Sequence, residues 1–374
     1  MDFELNDEQR QLSDSLERLL IQQYGIDQRR SILDSQEGFS PSVWSRFAEL
    51  GILALPLSEQ SGGFGGGAVD LMRPMALLGD ALAIEPVIAH LAASRLLDRA
   101  SGGAEAAAQL LQQALGGEQR LAWLRDGACG DGACSATAAG GEWVLNGRFT
   151  GVFGADGASH LLVTAPSDGE HALFVLPAST PFVTLRPGRA LDNQRIADVV
   201  LEGVRVEPGR HVAGGRGVSE AIEEAADFAS ALICAEAMGV IDYACRDTLE
   251  YLKTRKQFGV PIGSFQALQH RIVDLHVELE QVRSITALAC SRFDAAAVGQ
   301  ATSVERTKSV AAARVLVGKA ATKVAQESVQ LHGGMGMAEE MKISHAFRRL
   351  TVLAQQWGGV GYFLDRFIAA DKAF

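Results

Sequence analysis

The chain is short of what several protein classes need. Its five cysteines, Cys129, Cys134, Cys234, Cys245 and Cys290, are odd in number and lack the paired spacing of a metal site. They read as reduced thiols of a cytoplasmic protein, with no disulfide framework and no metal. Positive charge is also scarce: 34 lysines and arginines stand against 45 aspartates and glutamates, a formal net charge of -11. General nucleic-acid binding depends on basic surface that displaces counterions, so this balance disfavours it. No window approaches the ~20 apolar residues that a membrane span needs. The opening MDFELNDEQRQL has no basic stretch followed by an apolar one, so no secretory signal is expected. Internal repeats and low-complexity tails are missing, and no GxGxxG follows a strand, which removes the Rossmann fingerprint.

What the 374 residues do hold is 47% hydrophobic content, enough for a sizeable core in two or three subdomains. Residues 1–117 read as a helical domain. Asn6 with Gln9 forms a capping box ahead of Leu12, Leu16, Leu19 and Leu20. Ser40-Pro41 opens another helix as N-cap and first residue, with Trp44, Phe47 and Leu50 as its buried face and Gly51 as its stop. SGGFGGG at 61–67 is a loop, and Asp70 to Leu82 is helical again. Residues 118–214 change texture, with short β-rich runs parted by Gly, Asp, Asn and Pro. Six or more strands at that spacing predict a small barrel or sandwich, with Glu142 to Leu145 entering a turn at Asn146-Gly147. Residues 215–374 return to long helices. Leu268, Ile272, Leu275, Leu279 and Val282 alternate spacings of four and three, as antiparallel bundle packing requires.

Two stretches carry candidate chemistry. In YLKTRKQFGVPIGSFQALQHRIVDLH (251–276), a helix ends at Arg255 and Phe258, a Gly/Pro break follows, and Gln266 opens the next helix. An arginine fork matches pyrophosphate oxygens and a phenylalanine face suits an adenine, while Gln266 is placed to hydrogen-bond a nucleotide. The plainer alternative is a charged helix end with Phe258 plugged into the core. In QLHGGMG (330–336), Gly333 and Gly334 are either a helix C-cap or a turn whose backbone amides approach a ligand within reach of Gln330.

The pattern R-K-Q-F-G, P-I-G-x-F-Q, then Q-x-x-G-G-x-G resembles the carboxyl-terminal domain of the acyl-CoA dehydrogenase family. E-L-G-I-L-A-L-P with G-G-F-G at 49–65 resembles its amino-terminal domain. The resemblance implies an α+β fold: an N-terminal helical domain, a middle β-barrel and a C-terminal four-helix bundle. It implies an FAD shared across a subunit boundary. Arg255, Phe258, Gln266, Gln330, Gly333 and Gly334 would hold the adenine and pyrophosphate half.

The flavin-ring half departs from the family. Where relatives carry a T-E-P-G-A-G-S-D-like loop, this chain has Arg125-Asp126-Gly127-Ala128-Cys129-Gly130-Asp131. Where they have the tryptophan and threonine of W-I-T-N, it has Gly151 and Phe153, with core packing the expected role of Phe149 and Phe153. Most relatives place a catalytic glutamate a fixed distance beyond the Gly-Gly turn, and counted from Gly333 that position is Trp357. A minority place it on the helix before the arginine, where this chain has Ala229 and then Ser230. Asp227, Glu224 and Glu236 are near but out of register, and the catalytic residue is unknown. After Trp357 comes Gly358-Gly359-Val360-Gly361, without the family's T-S-Q-like flavin contacts.

The retained half and the altered half together resemble the base-lacking subunit of the α2β2 acyl-CoA dehydrogenases of bacterial steroid and bile-acid side-chain degradation. GVFGADGASHLLV at 151–163 adds to that likeness. The resemblance implies a second family subunit as partner, a bulky acyl-CoA as substrate, a 2,3-enoyl-CoA as product and an electron-transferring flavoprotein as acceptor. The alternatives are a self-sufficient homo-oligomeric flavoenzyme with a displaced base, Asp227 or Glu224, and a non-catalytic scaffold.

Overall fold

The computed structural model describes residues 5–102, 104–125, 134–139, 142–167, 169–207 and 209–372. Two compact units emerge: Met1–Ile32 with Gly67–Ala83 and Ser230–Phe374, and Leu33–Gly66 with Ile84–Ala229. Along the chain, helices come first: α1 (Asp7–Gln23), α2 (Ile26–Asp34), α3 (Pro41–Glu49), α4 (Ala68–Ala81), α5 (Val87–Ala100) and α6 (Glu105–Leu115). The expected caps form. Asn6 Oδ1 accepts from the Gln9 amide at 2.8 Å while Gln9 Oε1 accepts from the Asn6 amide at 2.9 Å. Ser40 Oγ accepts from the Val43 amide at 3.3 Å, and Trp44 and Phe47 turn inward.

Eight strands follow among the described residues, in two four-stranded sheets. Strands β1 (Leu121–Leu124), β4 (His160–Ser167), β5 (Glu170–Pro177) and β8 (His211–Gly214) form one, in the order β1-β4-β5-β8. Strands β2 (Ser135–Ala139), β3 (Glu142–Phe153), β7 (Arg195–Val206) and β6 (Val183–Arg189) form the other, in the order β2-β3-β7-β6. Among the described residues only the β1–β4 pairing is parallel. Phe149, Leu145 and Val199 from one sheet share a core with Phe174, Leu161 and Val163 from the other, the arrangement of a sandwich.

The turn expected at Asn146-Gly147 is a correction: β3 runs straight through it. There, two residues of β7, Glu202 and Gly203, oppose Asn146, and Gly203 takes a positive φ of 66°. Asn146 Oδ1 accepts the Gly203 amide at 2.7 Å. Asn-Gly serves here as the partner of a bulge, because the side-chain carbonyl satisfies an amide the ladder leaves free. A second bulge repeats the device with the strands exchanged. Gly151, at φ 61°, donates its amide to Asp198 Oδ1 at 2.9 Å.

The remaining chain is α7 (Arg216–Thr254), a hairpin of β9 (Lys256–Gln257) and β10 (Val260–Pro261), α8 (Gln266–Ala297), α9 (Ser303–His332), α10 (Lys342–Leu353) and α11 (Val360–Lys372). In the first unit α4 and α7 cross at backbone distance. A Cβ on Gly239 would lie 1.9 Å from the Ala76 carbonyl oxygen, and one on Gly79 would lie 2.1 Å from that of Glu236. The expectation that no segment matches a membrane span also needs correcting. Helix α7 is long and apolar enough by length and composition, but 83% of its most apolar window is buried within the fold. Its hydrophobicity is that of a core helix. Cys134, Cys234, Cys245 and Cys290 are buried and take part in no disulfide among the described residues, and Cys129 lies outside those residues. Among the described residues no cluster of metal-ligating side chains forms.

Candidate functional site

Helix α7 ends at Thr254, and the chain reverses through a two-residue hairpin in which Gln257 pairs with Val260. Phe258 and Gly259 fill the turn with φ of 53° and 82°, the double positive φ of a type I′ turn. Glycine or asparagine suits that turn, whereas an aromatic there carries strain of about 1–3 kcal/mol. Phe258 is nevertheless 90% exposed, so no burial inside this chain repays the strain. The alternative that plugged Phe258 into the core is thereby removed. Its ring meets Phe265 edge to face, with centroids 6.3 Å apart. Arg255 holds the base of the loop through its carbonyl, which accepts the Ile262 amide at 2.8 Å. The Arg255 guanidinium is exposed and makes no ion pair or hydrogen bond among the described residues. A cation used for stability would be paired with a carboxylate, as Arg271 is with Glu327 at 2.6 Å.

At the end of α9, Gly333 takes φ 62° and ψ -144°, a region that in practice only glycine occupies. Gly334 needs no such freedom. Its φ is ordinary, and an added Cβ would meet nothing in the chain within 4 Å. Glycine in a helical turn costs about 0.5–1 kcal/mol against alanine, and no contact among the described residues requires it here. Gly336 differs, since a Cβ there would lie 2.8 Å from the Val329 carbonyl oxygen. Gln330 and Gln266 are both exposed.

Side-chain contacts tie these pieces to one end of the helices. Tyr251, one turn before Arg255, stacks on His332, next to Gly333, with centroids 4.4 Å apart and planes 26° apart. His332 Nδ1 bonds the Ser328 carbonyl oxygen at 2.8 Å, which fixes the ring. Arg271, just after Gln266 on α8, is joined to Glu327, just before Gln330 on α9. The C-terminal ends of α7 and α9 and the N-terminal end of α8 thus meet, and all six predicted residues sit there, facing outward. Tyr251 and His332 escaped the sequence reading; their signal was an aromatic one turn behind the arginine and another beside the glycines. The residues present fit the polar half of a dinucleotide: a fork for phosphate oxygens, an exposed ring, two amides and open backbone.

The carboxylates considered as displaced bases are committed elsewhere or enclosed. Glu224 lies 2.7 Å from Arg95 and 3.4 Å from Arg99. Glu236 is paired with Arg349 at 2.6 Å, with both side chains buried. Asp227 and Ala229 are fully buried. Trp357 is half-buried at a positive φ of 64°. Its loop is held by buried Arg314, which donates to the carbonyls of Leu353, Gln356 and Gly358 at 3.0, 2.6 and 3.0 Å. No carboxylate occurs from Ala354 to Gly361. Phe149 is core, as expected, and Phe153 is half-buried. Of the stretch 125–131, all but Arg125 lies outside the described residues.

The family models for the acyl-CoA dehydrogenase N-terminal and C-terminal domains match residues 6–118 and 215–369, together most of the chain. The acyl-CoA dehydrogenase IpdE2 of Mycobacterium tuberculosis is 28% identical over 351 residues, covering 93% of this chain and 92% of its own. Among solved structures, the ChsE4-ChsE5 complex from Mycobacterium tuberculosis is similar with TM-score 0.88 and 25% identity, covering 100% and 99% of the two chains. A single-site variant of the Tcur3481-Tcur3483 steroid ACAD has TM-score 0.87 and 25% identity, covering 98% of each. The chain belongs to the acyl-CoA dehydrogenase family of FAD-dependent oxidoreductases.

Proposed function

We propose that this chain is the base-lacking subunit of a heteromeric acyl-CoA dehydrogenase, and that it contributes the adenine and pyrophosphate half of an FAD site completed by a second family member. The observation that carries this reading is an asymmetry. Arg255, Phe258, Gln266, Gln330, Gly333 and Gly334 face outward without internal use, while Gly151, Ala229 and Trp357 stand where ring contacts and base belong. A decayed relative would lose both halves alike. Support comes from two similar structures that are each named as a pair of different chains.

In this reading Arg255 forks the pyrophosphate, Phe258 presents a face to the adenine, and the amides at Gly333 and Gly334 approach phosphate oxygens. Gln266 and Gln330 add hydrogen bonds to the nucleotide. The flavin, when bound, supplies a hydride acceptor. With FAD bound, a carboxylate of the partner subunit would take the α-proton while the flavin would accept hydride from the β-carbon, which would give a 2,3-enoyl-CoA. The substrate class is a bulky acyl-CoA of the steroid side-chain kind, a reading supported by the similar structure named a steroid ACAD. Electrons then pass to an electron-transferring flavoprotein, and the assembly is an α2β2 tetramer working in the cytoplasm.

The test is co-expression with a family member that carries the in-register glutamate, followed by assay of steroid side-chain acyl-CoA oxidation with an artificial electron acceptor. Activity should need both chains and should fall about 100-fold with Arg255→Ala, the loss of one charge-assisted fork. Full activity of this chain alone sinks the reading.

A further inference from the structure

In the first unit, α1, α4, α7, α8 and α10 enclose a cleft of about 420 Å³ that has no part in the flavin half-site. One wall is apolar, built from Leu20, Ile21, Tyr24, Leu77 and Met238. The rest carries four cations, Arg73, Arg246, Arg283 and Lys342, against three carboxylates, Glu17, Asp80 and Asp242. Two of the cations are matched. Asp242 accepts from Arg246 at 3.2 Å and from Arg283 at 2.8 Å, and Asp80 also pairs with Arg246.

The other two are held more loosely. Arg73 forms an ion pair with Glu17 at 3.9 Å, too long for a hydrogen bond, so its guanidinium N–H donors stay open on that side. Half-buried Lys342 has no carboxylate within ion-pair distance among the described residues. It donates to the Asp80 carbonyl oxygen at 2.6 Å, which caps the end of α4, and sits 4.2 Å over the Tyr243 ring. Those contacts leave donor capacity on the ammonium, whose pKa burial pushes below the ordinary lysine value. An anion entering the cleft would meet the spare donors of Lys342 and Arg73, with an apolar wall beside it.

We propose that this cleft binds an amphipathic carboxylate, its head between Lys342 and Arg73 and its hydrocarbon body along Leu20, Leu77 and Met238. The volume falls within the usual range for small-molecule sites, and a few placed polar groups over an apolar lining is their common composition. The proposal stands apart from the shared-flavin reading.

The test is calorimetric titration of the full chain with octanoate, using inorganic phosphate and octylammonium as comparison probes. Octanoate should saturate about tenfold more tightly than phosphate, and octylammonium should not bind. Lys342→Gln should weaken octanoate about tenfold and Arg73→Gln about threefold, while Arg255→Ala should leave it unchanged, which separates this cleft from the flavin site. Arg73 is 45% exposed, so Arg73→Gln decides the matter if Lys342→Gln fails to fold. The proposal is overturned if octanoate fails to saturate, if phosphate or octylammonium binds as tightly, or if folded variants bind octanoate as the unaltered chain does.

Discussion

Gly334 separates binding from stability at the level of one residue. Its backbone needs no glycine and its surroundings leave room for a Cβ. Gly334→Ala should therefore keep or raise stability by up to about 0.5–1 kcal/mol, and at the same time weaken FAD binding in the assembled enzyme. Thermal unfolding and flavin titration on the same preparation would check both signs, and a variant that unfolds more easily would contradict the argument. His90 makes a different prediction. Burial holds its pKa at about 4 against 6.5, and its Nδ1 accepts the Leu121 amide at 3.2 Å. Above pH 6.5 the ring is neutral folded or unfolded, so stability is undiminished. As pH falls toward 4 the unfolded chain takes up the proton and the folded one does not, which costs about 3 kcal/mol by the lower end. Denaturant unfolding at pH 7 and pH 5 should show about 2 kcal/mol of this loss, and His90→Asn should lack that share of it. The six outward-facing residues proposed to hold the cofactor could be found in the sequence because a forked cation, a ring and paired glycines keep their spacing. The strain at Phe258 could not, because nothing local announces a turn with positive φ at an aromatic.

Among elements, the β9–β10 hairpin stores strain that its own contacts do not repay. Phe258→Asn should relieve it and stabilise the chain by several tenths of a kcal/mol, since asparagine suits a type I′ turn, while weakening flavin binding. Raised stability with unchanged flavin affinity would mean the ring is an idle ornament of the loop. The α4–α7 crossing works in the opposite direction. Gly239→Ala would drive a methyl into the Ala76 carbonyl and should cost about 3 kcal/mol, measurable by denaturant unfolding. Helices were legible from their four-three periodicity and their caps because those signals are local. Asn146-Gly147 misled because the same dipeptide serves a hairpin turn or a bulge, and only the pairing strand decides which. The close approach at Gly239 left no trace in the sequence, since a glycine inside a helix does not name the helix it touches.

For the whole molecule, the helical, β, helical order follows from changes of texture along the chain. How its residues gather into two compact units does not, because each unit collects segments far apart in sequence. The apolar α7 belongs at this scale too: its composition matches a membrane span, and burial explains why. The central claim is that one chain carries half of a cofactor site. Flavin content per polypeptide tests it most directly, measured after incubation with excess FAD, first on this chain alone and then on the chain co-purified with a family member bearing the in-register glutamate. Little or no flavin is expected on the chain alone, with flavin restored in the pair. Near-stoichiometric flavin on the chain alone would contradict that claim.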